Sequence, residues 1–77
     1  MAKRKILNTI YQSDDNYAVV SAISIASLLE NNQHLDEINI FYLGHNLKKS
    51  SVAKFNKLVA SYSNATISFV DTKAYHD

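Results

Sequence analysis

Cysteine is absent from this sequence, and a single glycine, Gly44, occurs in its 77 residues. Without a thiol there is no cysteine nucleophile, no disulfide staple and no thiolate metal site. One glycine is too few for a glycine-rich phosphate loop: neither GxGxxG nor GxxxxGK occurs, which argues against pyrophosphate binding at the first strand-to-helix turn in the Rossmann manner. An excess of either charge is lacking too, the formal net charge being +1. The basic groups Lys3-Arg4-Lys5 and Lys48-Lys49 are short and lie near element starts, so they read as solvated surface, and no nucleic-acid partner is expected. The longest uncharged run, Asn16 to Leu29, carries Ser21, Ser24 and Ser27 and falls short of the roughly 18 predominantly apolar residues of a membrane span. Asn8, Thr9, Gln12 and two aspartates interrupt the N-terminal segment, so it does not read as a signal peptide. No membrane span and a cytoplasmic location are the default expectations.

What is present is the composition of a globular protein, 47% hydrophobic and 19% charged. The length allows one small domain or a piece of a larger one. Lys5 to Tyr11 reads as a first strand, rich in Ile, Leu and Tyr. From about Asn16 to Asn31, Ala18, Ala22, Ile25 and Leu29 share one face at helical spacing, and Asp14, Asp15 or Asn16 can cap that helix. Its serines recur every third residue, a stripe that predicts close packing of the helix on the sheet. Asn31-Asn32-Gln33-His34 stops it, Asn tolerating the left-handed conformation common at helix ends.

Asp36 to Leu43 is the second strand, nearly all apolar over its last part, as expected where both faces of a parallel sheet are covered. After Gly44-His45-Asn46 as a turn, Lys48 to Tyr62 makes an amphipathic helix with Val52, Phe55, Leu58, Val59 and Tyr62 along its seam. Ala65 to Val70 is the third strand, followed by Asp71 and a polar tail. The order β-α-β-α-β with short links predicts an α/β fold, three parallel strands and two helices forming half of a doubly wound sheet. Three strands leave that sheet incomplete. The expectation is that residues 1–77 are the N-terminal fragment of a longer domain, or that a partner completes the layer, with self-association through the open edges as a further outcome.

Polar side chains crowd the first strand-to-helix junction, Tyr11-Gln12-Ser13-Asp14-Asp15-Asn16-Tyr17, where packing asks for none of them. Ligands of open α/β sheets bind at the carboxyl ends of the strands, so this cluster is the leading candidate site. Adjacent side chains of an extended backbone diverge, so at most one of Asp14 and Asp15 is expected to face a ligand while the other caps a helix or stays in solvent; the alternative is that both are helix-capping and turn residues. Tyr17 is a better flat partner for a base or sugar than Tyr11, which can equally be core. His34, His45 and His76 fall in different loops without metal-ligand spacing and read as surface residues. Asp71, with His76 and Asp77, is a weaker carboxylate group at the third strand's end.

The segment from Ile6 through Tyr17 to Ala18 resembles the opening of a glycosyltransferase family 8 catalytic domain. Ser24 to Asn32 is similar to that family's first helix, Ile38 to Leu43 to its second strand and Ile67 to Asp71 to its third. The resemblance implies a GT-A, Rossmann-like nucleotide-sugar fold and retaining transfer of a hexose from a UDP-sugar to the hydroxyl of an acceptor glycan or glycoprotein. It also implies a nucleoside-binding set comprising Gln12, Ser13, Asp14, Asp15, Asn16 and Tyr17. Within that set Asp14 accepts from the uracil ring, Asn16 and Tyr17 contact the uridine by hydrogen bonding and stacking, and the backbone at Gln12 and Ser13 lines the pocket. A carboxylate suits the imide N–H of uracil, and a phenol offers a flat face.

Two departures limit what the resemblance carries. The family's DxD motif, which holds Mn2+ or Mg2+ on the donor diphosphate, has no counterpart, because no Asp-x-Asp occurs in the chain. These residues alone are therefore expected to be inactive, without catalytic or metal-ligating side chains. Lys48 replaces the small polar residue expected to cap the second helix, and Asn46 stands where glycine is common. Two other readings compete: a receiver-like signalling module using Asp14, Asp15 and Asp71, and a structural fragment without a ligand.

Overall fold

The computed structural model describes residues 3–71 of the chain. Three strands, β1 (Ile6–Asp14), β2 (Glu37–His45) and β3 (Ala65–Asp71), alternate with two helices, α1 (Ala18–Asn31) and α2 (Lys49–Ala60), and one 3-10 turn, Asp15–Tyr17, precedes α1. The strands pair in parallel in the order β1-β2-β3. The expected α/β fold of three parallel strands and two helices is the one observed.

Both crossovers step in the same direction across the sheet, so right-handed connections bring both helices to the same face. The burial of β2 agrees with this. Ile38, Ile40 and Tyr42 lie beneath the helices with at most 1% of their surface exposed, whereas Phe41, pointing the other way, is 42% exposed. Among the described residues, cover is therefore one-sided, unlike the two-sided cover that the apolar run of β2 suggested. The open face is part apolar, with Ile6, Ile10 and Phe41, and part polar. Across it Asn39 Nδ2 donates to Asn8 Oδ1 at 3.0 Å and to Glu37 Oε2 at 2.8 Å, and Thr66 Oγ1 donates to Asn39 Oδ1 at 2.9 Å.

The core collects where helix stripes meet β2. Ala18, Ile25 and Leu29 are the buried residues of α1, and Phe55 and Val59 those of α2, each set spaced to fall on one helix face. Tyr42 is central: its ring lies 4.7 Å from Phe55, 5.7 Å from Phe69 and 6.2 Å from Tyr11, centroid to centroid. Its buried hydroxyl is satisfied by Ser13 Oγ, which itself donates to the carbonyl of Asp14 at 2.9 Å. A phenol in a core needs such a partner.

Several local expectations change. Ser24 and Ser27 are exposed and Ser21 is only half-buried, whereas Ala18, Ile25 and Leu29 are the buried residues of α1, so the serine stripe is not the buried face of the helix. Ser24 Oγ instead lies 3.0 Å from the Tyr11 hydroxyl. At the end of α1, Asn32 has φ −128° rather than a left-handed value, and its side-chain amide donates to the carbonyl of Leu28 at 2.7 Å, meeting one of the terminal acceptors directly. Gly44 and His45 extend β2 instead of forming a turn, because they pair with Ser13 and Asp14 of β1. The sole glycine lies close under Leu47: a Cβ there would fall 2.5 Å from Leu47 Cδ1 and 2.8 Å from its Cγ, so the Leu47 side chain would have to shift to admit one.

The turn falls at Asn46, the only non-glycine residue with positive φ among those described, at 55°. Left-handed backbone costs most L-residues about 1–2 kcal/mol, and Asn and Gly tolerate it best. Asn46→Ala is expected to lower stability in urea denaturation by about 1 kcal/mol, while Asn46→Gly leaves it unchanged or raises it slightly. An alanine variant as stable as the parent contradicts this conformation.

Candidate functional site at the carboxyl end of β1

Strand β1 runs three residues past its expected end at Tyr11, so Gln12, Ser13 and Asp14 belong to the sheet. Parallel pairing with Leu43, Gly44 and His45 outweighs the weak strand preference of Gln, Ser and Asp. The strand alternation then separates their side chains. Gln12 is exposed on the open face, and Ser13 points under the helices to Tyr42. Asp14 ends the strand as the N-cap of the 3-10 turn, its Oδ1 accepting from the Tyr17 N–H at 3.3 Å.

Asp15 turns away from β1 toward α2. Its Oδ1 accepts from the backbone N–H of Lys48 at 3.0 Å and from Ser51 Oγ at 2.7 Å, at the start of α2. Lys48 is the N-cap of α2 and makes no side-chain cap bond. In a capping box a long acceptor at the third helical position reaches back to the N-cap N–H. Ser51 holds that position here and is too short, so Asp15 supplies the carboxylate from another loop, where it also meets the positive end of the helix dipole. The Lys48 N–H bond first and the Ser51 bond second hold its carboxyl below the ordinary value of 3.8, with smaller help from the charges of Lys48 and Lys54. The sequence signal for this was Lys48 itself, a cap position without a side-chain acceptor.

The seven-residue crowd is thus less idle than its sequence suggested. Tyr11 stacks on Tyr42, Ser13 satisfies a buried phenol, Asp14 caps the 3-10 turn and Asp15 caps α2. Asn16 and Tyr17 remain outward, Tyr17 with 63% of its surface exposed, and the Gln12, Asn16 and Tyr17 side chains make no hydrogen bond among the described residues. Asp14 is half-buried between them and the strand. An ionised carboxylate has about four acceptor sites, so its one long bond leaves room for a further donor. Together these residues offer an acceptor, an amide and a ring face at one point on an edge strand.

The other carboxylates stand apart. Ser13, Gly44 and Asp71 are in register across the sheet, so β2 separates the end of β1 from Asp71 by two strand spacings, about 10 Å. A receiver-type sheet places the first strand between the second and third. In the observed order β2 takes that middle position, and Asp15 is committed to α2, so Asp14, Asp15 and Asp71 do not form one pocket. Among the described residues no three of His, Asp and Glu gather as a metal site. His34 is exposed, and His45 ends β2 with its Nε2 3.3 Å from Asn46 Nδ2. His76 and Asp77 lie outside the described residues. No helix among the described residues is long and apolar enough to cross a membrane.

The fold is a Rossmann-like α/β unit of three parallel strands and two helices. It superimposes on part of the apo structure of WbbM, a bifunctional glycosyltransferase, with a TM-score of 0.85 and 18% sequence identity. The match covers 100% of this chain and 14% of the WbbM chain, and at that identity it concerns the fold alone. No protein-family model matches this sequence, and no curated protein does.

Because Asp15 titrates below 3.8 when folded, its contribution to stability is complete above that pH and declines as pH falls through the folded value. Asp15→Asn is expected to lower the melting temperature at pH 7, with the gap to the parent narrowing below pH 3.8. A gap unchanged between neutral and acidic pH contradicts a charged cap.

Proposed function

We propose that this chain is the nucleoside-binding part of a nucleotide-sugar glycosyltransferase of family 8, and that the carboxyl end of β1 holds the uridine of a UDP-sugar. Asp14 accepts from the imide N–H of the uracil. Tyr17 offers its exposed ring to the base, Asn16 hydrogen-bonds the uridine, and the backbone at Gln12 and Ser13 lines the same pocket. The observation that carries the reading is the outward placement of Asn16 and Tyr17 beside Asp14 while Asp15 is bound to α2. Of the two aspartates, one is thereby left for a ligand.

The sheet order supports the same place. Order β3-β2-β1 is half of the doubly wound arrangement, in which the next strand joins the free edge of β1 and the ligand crevice opens at that switch point. In the longer cytoplasmic protein proposed here, a hexose passes with retention to an acceptor glycan or glycoprotein hydroxyl. The Mn2+ or Mg2+ ligands and the catalytic groups come from segments outside this chain, which is inactive alone. The free edges of β1 and β3 also favour self-association of the isolated chain.

Titration of the 15N-labelled chain with uridine and UDP is expected to give weak, metal-independent binding with shifts centred on Asp14, Asn16 and Tyr17. Tyr17→Ala is expected to weaken it by about tenfold or more, since stacking of a base on an aromatic ring is worth about 1–3 kcal/mol. Asp14→Ala removes it. Unchanged affinity in either variant, or shifts only with Mg2+ and a phosphate analogue at Asp14, Asp15 and Asp71, contradicts the proposal.

A further inference from the structure

The helix layer carries a second concave surface, which starts beside the contact of Asp15 with Ser51 and does not depend on the nucleoside reading. A groove of about 340 Å3 runs between α1 and α2. Its deep parts are Ala18, Ala22 and Ala26, a row at four-residue steps on α1, facing the buried ring of Phe55 on α2. Its rim is apolar on the α1 side, where Val19 and Ile23 are 71% and 67% exposed. Small residues in an i, i+4 row form a shallow channel that admits the side-chain ridge of another helix. Leaving two large aliphatic side chains in water beside such a channel is unfavourable unless something covers them.

Charge specifies the cover. The α2 side of the rim is lined by Lys54, and α2 with its cap carries Lys48, Lys49, Lys54 and Lys57 and no acidic residue. The single charge on α1, Glu30, accepts from the Tyr62 hydroxyl at 2.9 Å, which raises the Tyr62 pKa. Asp15, whose carboxyl feels the charge of Lys54, is held by the Lys48 N–H and Ser51. A second copy on this face would set lysines against lysines. A flat anionic bilayer would leave the alanine row unfilled.

We infer that the α1/α2 groove docks an amphipathic helix of a partner protein, with aliphatic side chains along the alanine row and carboxylates beside Lys54. Helix-in-groove recognition uses anchors at i, i+3 or i+4 and i+7, which match the spacing of the row. Complementary charge at the rim fixes the orientation of the incoming helix and excludes basic competitors.

The test uses the whole 77-residue chain and a stapled helical peptide with leucines on one face and glutamates on both flanks. Its control is the same peptide with every glutamate replaced by lysine. The acidic peptide is expected to shift the amides of Ala22, Ile23, Lys54 and Phe55 and to bind at least about tenfold tighter than the basic one. Lys54→Glu is expected to reverse that preference, and Ile23→Lys to abolish binding. Both replaced side chains are exposed, so unchanged circular dichroism separates lost docking from lost folding. Equal affinity for the two peptides, no binding, shifts outside the groove, or capture by phosphatidylglycerol vesicles without peptide binding overturns the inference.

Discussion

The handedness of the two crossovers is the constraint on which the rest of this structure depends. Because β2 follows β1, and β3 follows β2, in one direction across the sheet, right-handed connections stack α1 and α2 side by side on a single face. That places Tyr42 of the middle strand under both helices, where its ring is packed by Tyr11, Phe55 and Phe69. It also leaves β1 at an edge, so the candidate site forms at the open side of the sheet. The groove between the helices has the same origin.

The second constraint is the division of labour between two adjacent aspartates. Asp14 stays with its own 3-10 turn, and Asp15 reaches to the start of α2. A helix whose N-cap is lysine has no side-chain acceptor at that position, and the carboxylate of Asp15 supplies one while binding the Ser51 hydroxyl. The cap thus links the β1 end to α2 across the top of the sheet. A turn fixed in this way holds Asn16 and Tyr17 outward without using their side chains.

Most of the fold was legible in the sequence because each element has a strong local pattern. The seam of Phe55 and Val59 and the strand residues Ile38, Ile40 and Tyr42 follow periods of a helix and a strand, and these need no tertiary information. The strand ends were not legible, since Gln12 to Asp14 are poor strand formers held by pairing with β2. One-sided cover was hidden for a related reason: Phe41 and Leu43 are apolar but face away from the helices, and hydrophobicity alone does not tell which face is covered. At the site, the acidic turn was visible as a cluster, and of the two readings of its aspartates the geometry agrees with the one in which both cap, Asp14 the 3-10 turn and Asp15 α2. Which helix Asp15 caps was not, because its partners Lys48 and Ser51 lie more than thirty residues away.

The central claim is that Asp15 belongs to the fold and Asp14, Asn16 and Tyr17 to a ligand. A crystal structure of the chain grown with UDP tests it most directly. The account predicts the uracil against the Tyr17 ring with its imide N–H on Asp14, and Asp15 still on Lys48 N–H near 3.0 Å. A structure in which Asp15 leaves α2 to bind the nucleotide, or in which the base lies away from Tyr17, contradicts it.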